Sequence, residues 1–155
     1  QPLEFLRQEP YTTYLAGATG YFLVVTTLGL APEQRVKYLS VGDMTKAAVT
    51  DAVANAMLEQ LADEYEQTLG DDLSYRFCPG YQGSRASDVR YILEALSAQK
   101  VDVRLLESGL MLPQKSMAGI VAIGGRAKKQ CGNCMMADTC AFRKEGKRCF
   151  DSVSK

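Results

Sequence analysis

The sequence contains no histidine and no tryptophan in 155 residues. Without histidine, Ser-His-Asp and Cys-His nucleophile arrangements are excluded, together with histidine-ligated zinc and the usual general base near neutral pH. Any catalysis must then run on carboxylates, Tyr, Lys, Cys or a bound cofactor. Net charge is lacking as well. The 18 Lys+Arg balance 18 Asp+Glu, whereas a nucleic-acid-binding module carries a basic excess. No apolar run reaches the ~18 residues of a membrane span, and the opening QPLEFLRQEP has neither the basic nor the apolar region of a signal peptide. These absences read as a cytoplasmic protein with no membrane and no nucleic acid among its partners. The chain opens at Gln1 rather than at a methionine, which reads as a segment with further structure ahead of it.

What is present is enough apolar sequence, 46% of residues, to build one core without metal or disulfide staples. YFLVVTTL (21–28) is an apolar β-branched run, a buried strand leaving through Gly29 toward a helix that Pro32 suits in its first turn. Val49, Val53, Met57, Leu61, Tyr65 and Leu69 recur every fourth residue and mark one face of a long helix ended by Gly70. That face reads as core. The stretch 51–72 also holds seven carboxylates and no Lys or Arg, the pattern of a solvated helix face.

Farther along, LSYRF (73–77), VDVRLL (101–106) and GIVAIG (119–124) read as strands. SRASDVRYILEALSAQ (84–99) reads as a helix capped by Ser84 or Ser87. Two long helices among four short strands, without repeated βαβ units, predict an α+β fold with a twisted antiparallel or mixed sheet flanked by the helices. The body spans 1–125. Beyond it, 126–155 forms a separate basic tail with four of the five cysteines.

Arg76-Phe77-Cys78-Pro79-Gly80-Tyr81 closes a strand. Pro79 fixes one φ and Gly80 admits positive φ, so a sharp turn there can bring backbone N–H and C=O groups close to a ligand. Arg76 adds a planar cationic fork suited to a carboxylate. An ordinary Pro-Gly turn beside a surface Arg fits the same residues. Cys78, Met111 and Met117 read as small or flexible core residues.

RFCPGY resembles the Arg-x-x-x-Gly-Tyr signature of the S-adenosylmethionine-binding activation domain of cobalamin-dependent methionine synthase. TTLG (26–29), DAVANAMLEQLAD (51–63) and LLESGLMLPQKSMAG (105–119) follow that family's order of segments. The resemblance implies a domain that presents S-adenosylmethionine to cobalamin on a corrinoid-binding methyltransferase, so that oxidised cob(II)alamin is reduced by one electron and remethylated. A low-potential electron donor is implied with it. Residue by residue, Arg76 would bind the nucleotide and the backbone of Phe77, Cys78, Pro79 and Gly80, with Tyr81, would line its site. Glu107 and Ser108 would support the same pocket. The family's helix carries a Glu where this chain has Asn55, with Asp51 and Glu59 a turn away on either side. The family's aromatic-rich continuation is replaced by IVAIGGRAKK. No side-chain base is required, because the sulfonium is already an activated methyl donor and orientation is the protein's main contribution.

The tail reads C-x2-C-x5-C-x8-C over Cys131, Cys134, Cys140 and Cys149. Four thiolates suit zinc or an iron–sulfur cluster, and the neighbouring Lys/Arg favour the thiolate form. Redox-active thiols and plain free cysteines are the other readings. The element Cys140-Ala141-Phe142-Arg143 resembles the Cys-rich ending of short stand-alone relatives of the activation domain. As an alternative to the nucleotide reading, the tail alone would make the chain an electron-transfer or regulatory module.

Overall fold

In a computed structural model, residues 3–127, 131, 134 and 137–148 are described. The architecture is α+β with small antiparallel sheets. A 3-10 turn (Glu4–Arg7) and the short α1 (Tyr11–Tyr14) lead into β1 (Gly20–Thr27), then α2 (Ala31–Leu39) and the 24-residue α3 (Met44–Gln67). The second half holds α4 (Val89–Ala95), β2 (Arg104–Leu105), β3 (Met111–Leu112), β4 (Ser116–Ile123) and α5 (Ala141–Lys144).

β1 and β4 pair antiparallel from Gly20↔Ile123 to Thr27↔Ser116, and β2 pairs with β3. β4 is buried along nearly its whole length, so its alternating side chains serve two layers. Ala118, Ile120 and Ala122 point into the main core with Tyr11, Phe77 and Ile92. Met117, from the opposite face, packs with Leu58 and Ala62 of α3. The Tyr14 hydroxyl ties the first layer together. It pairs with Ser74 Oγ, lies 2.9 Å from the Ile120 carbonyl oxygen and accepts from the Ala122 N–H at 3.2 Å. Burial pushes this phenol up to about 12.

Four sequence expectations change. The 73–77 segment joins β4 only through the bridges Leu73↔Ile123 and Phe77↔Ile120 and is not a continuous strand. The 84–99 helix is shorter, because Ser97 takes a left-handed conformation and separates α4 from a 3-10 turn at Ala98–Val101. Of its two expected caps, Ser84 Oγ accepts from the Gly80 N–H at 2.9 Å and closes the Pro-Gly turn instead, and Ser87 lies within a 3-10 turn, Ala86–Asp88, ahead of α4. The strand expected over 101–106 contracts to β2.

The largest change concerns α3. The helix exists and is started by Asp43, whose Oδ1 accepts from the Lys46 N–H at 2.9 Å. Yet its buried residues are Ala47, Ala54, Leu58 and Ala62, while Val49, Val53, Met57, Leu61 and Tyr65 are exposed. A residue advances about 100° around a helix, so a strict four-residue repeat drifts by roughly 40° per step and cannot stay on one face. The 7-4-4 spacing of the buried set does stay on one face. Three of its four members are alanines, and Leu58 and Ala62 pack on Met117 of β4.

Candidate functional site

The turn after Phe77 opens onto a cleft of about 600 Å³ between α3 and β4. Its floor is apolar, with Phe77, Val89, Met111 and Met117; Tyr75 and Tyr81 stand along its side. Gly80 has φ +98°, the conformation that glycine was expected to supply.

Arg76 crosses from this turn to α3, its side chain only 6% exposed. Nη2 contacts Glu59 Oε2 at 2.7 Å and Asp63 Oδ1 at 3.1 Å, and Nη1 pairs with Glu66 Oε1. Burial works against the charged guanidinium, but the hydrogen bond and charge of Glu66, with the charges of Glu59 and Asp63, outweigh it. They hold the group above its ordinary value. One cation thus organises three carboxylates, two of which, Glu59 and Asp63, line the cleft. The local balance is negative and favours a ligand with a cationic group.

This crossing depends on Gly119. A methyl group there would lie 2.7 Å from Arg76 Cγ and 3.1 Å from the Phe77 carbonyl oxygen. The bare backbone of β4 is what gives the arginine stem its path. Cys78 lies beside it in the cleft, and burial, opposed in part by the Arg76 charge, pushes its thiol up to about 11.

Of the residues picked from sequence, Arg76, Phe77, Cys78, Pro79 and Tyr81 meet in the lining. Much of the backbone expected to face a ligand is already engaged. The Phe77 N–H donates to the Ile120 carbonyl at 2.8 Å, its carbonyl accepts from the Ile120 N–H at 2.9 Å, and the Gly80 N–H is held by Ser84. Asn55 lies outside the lining: its amide donates to Asp51 at 3.3 Å and its carbonyl oxygen accepts from Lys115 Nζ at 2.7 Å. Glu107 and Ser108 are exposed in the β2–β3 connection and are also outside the lining.

Glu59, Asp63 and Glu66 were read in the sequence as part of a solvated face. Their i, i+4, i+7 spacing, which places them on one side of a helix, is the signal that could have joined them to a cation. In the tail, Cys134 lines the cleft, Cys140 precedes α5, and Cys78, Cys131, Cys134 and Cys140 are unbridged. Among the described residues no three Cys, Asp or Glu converge on a metal position. Cys149 lies outside the described residues. At the start of the tail the Arg126 N–H donates to the Ala16 carbonyl and Ala127 packs on the main core. Among the described residues no helix is long and apolar enough to cross a membrane.

No family model matches the chain, and a search of the curated proteins finds none that matches.

Proposed function

We propose that the cleft binds S-adenosylmethionine and that the chain is the reactivation partner of a cytoplasmic corrinoid-binding methyltransferase, with a fold of the methionine synthase activation-domain kind. The observation that carries the reading is the meeting, in one cleft, of the RFCPGY turn with a carboxylate wall held by Arg76.

The donor set fits the ligand's chemistry. S-adenosylmethionine carries a sulfonium and an ammonium against one carboxylate, so its net charge complements a wall in which three carboxylates outnumber one guanidinium. Phe77, Val89, Met111 and Met117 offer an apolar bed for a flat base and keep water from it. When bound, the ligand supplies the activated methyl group. Arg76 positions Glu59 and Asp63, and these two orient the cationic end. None of these residues has to move a proton, in keeping with a chain that lacks histidine.

The test is calorimetric titration of S-adenosylmethionine, with S-adenosylhomocysteine as the uncharged-sulfur control. Saturable binding is expected, weaker for the homocysteine analogue. Glu59→Gln should weaken it by about tenfold, the loss of one charge-assisted contact. Glu59 is 66% exposed on its side chain, so this variant should fold normally. Absence of binding at millimolar ligand, or equal affinity for both nucleotides in both proteins, would overturn the reading.

A further inference from the structure

Cys78 and Cys134 are far apart in the chain but line the same cleft, and neither is bridged. Cys134 is where the tail reaches this cleft: among the described residues beyond 125, no other lines it. A short turn holds it there. The Cys134 N–H donates to the Cys131 carbonyl at 3.4 Å, and its carbonyl accepts from the Ala137 N–H at 3.0 Å. Cys78 follows Phe77 in the turn and packs against the cluster of Leu58, Ala62 and Met117. Neither thiol has a part in holding the nucleotide proposed above.

The two thiols differ in the way a disulfide-forming pair requires. Cys134 is exposed, so it meets a dissolved oxidant first. Cys78 is half-buried, and burial keeps it protonated. It is left for a sulfur delivered to it inside the cleft, where high local concentration offsets a low thiolate fraction. Cys131 is the nearer partner along the chain, but it lies outside the cleft's lining.

The cleft's size says what such a bond would do. A space of about 600 Å³ is about 10 Å across, whereas disulfide-linked residues have Cα atoms about 4.4–6.8 Å apart. A bond made across it draws the tail toward the Pro-Gly turn and narrows the opening.

We propose that Cys78 and Cys134 form a redox-sensitive clasp: oxidation joins them and closes the tail over the cleft, and reduction reopens it. With a small-molecule disulfide as oxidant, the Cys134 thiolate attacks one of its sulfurs, forming a mixed disulfide and expelling one small thiolate. The Cys78 thiol then loses its proton to water, attacks the Cys134 sulfur and expels the second. Two protein thiols and one small disulfide become one protein disulfide and two small thiols. That closure shuts out S-adenosylmethionine rests on the reading of the cleft given above. The clasp itself does not.

The experiment incubates the reduced full chain with oxidised glutathione and maps its disulfides by non-reducing peptide mass spectrometry. A Cys78–Cys134 linked peptide should form and disappear on reduction. Melting of the oxidised parent should move up by roughly 5–10 °C, because the bond closes a long loop of the unfolded chain. Amide hydrogen exchange over 79–83 should slow at the same time. Cys134→Ser, at an exposed position, should melt like the reduced parent and show neither change, while Cys131→Ser should show both. Any other pairing, Cys131–Cys134 above all, would overturn the proposal, and so would glutathione left on Cys134 beside a free Cys78. A Cys78–Cys134 bond that leaves exchange over 79–83 unaltered would overturn the closure. Titration with S-adenosylmethionine separates the two ideas: affinity should fall at least tenfold on oxidation and return on reduction, and undiminished affinity in the oxidised parent would overturn the closure. A clasp formed as expected in a chain whose reduced form binds no nucleotide would remove only the cleft reading.

Discussion

Replacing Gly119 by alanine tests how the cleft wall is assembled. The added methyl would sit 2.7 Å from Arg76 Cγ and 3.2 Å from Cδ, where ordinary contact begins at 3.4 Å, so the stem must retreat by about 0.7 Å. The other neighbour, the Phe77 carbonyl oxygen at 3.1 Å, is main chain and is hydrogen-bonded to the Ile120 N–H at 2.9 Å. It has little room to yield. Overpacking of this kind costs about 1–3 kcal/mol, and a misaligned charge-assisted hydrogen bond between Arg76 and its carboxylates adds about 1.5–3 kcal/mol. Alanine in place of glycine in a strand returns up to about 1 kcal/mol. The expected net loss is about 1.5–5 kcal/mol, which lowers the melting temperature of a domain this size by roughly 5–15 °C.

Thermal and urea unfolding followed by circular dichroism would measure it, in a double-mutant cycle with Arg76→Ala. That truncation removes the atoms nearest the new methyl, so Gly119→Ala should cost at least about 1 kcal/mol less in its presence. A Gly119→Ala protein as stable as the parent, or strict additivity in the cycle, would refute the account of the arginine's path.

Burial on α3 predicts opposite outcomes for neighbouring residues: Leu58→Ala should cost about 2–4 kcal/mol, and Met57→Ala less than about 0.5 kcal/mol; urea midpoints that fail to separate the two would contradict the packing of α3 described above. Alkylation of Cys78, followed by peptide mass spectrometry, should rise with a midpoint near pH 11 rather than at the ordinary thiol value of 9.0. Because the folded protein favours the protonated thiol, its contribution to stability is complete below pH 9.0 and is lost as pH rises toward about 11. Tyr14, raised by burial from 10.0 to about 12, acts in the same direction over the next interval. Urea midpoints should therefore fall from pH 9 upward, and a flat profile to pH 12 would contradict both assignments.

Local chemistry made several elements legible in the sequence. Pro32 marked the start of α2, the β-branched run marked β1, and the apolar GIVAIG marked β4. The length and helical nature of α3 were evident from its periodicity, which needs only side-chain spacing. Pro79 and Gly80 announced the turn that borders the cleft, because each restricts or frees φ by its own covalent structure.

Only the tertiary structure decided which side of α3 is buried. Apolarity pointed to Val49, Val53 and Met57, but the buried residues are Ala47, Ala54, Leu58 and Ala62, the last two packed on Met117 of β4. It alone also paired Arg76 with Glu59, Asp63 and Glu66, across 10–17 residues of chain, over the bare backbone of Gly119. Periodicity and φ preferences are properties of a segment and can be read along it. Burial, charge pairing and the shape of a cleft depend on which segments meet, and that is set by the packing of the whole chain.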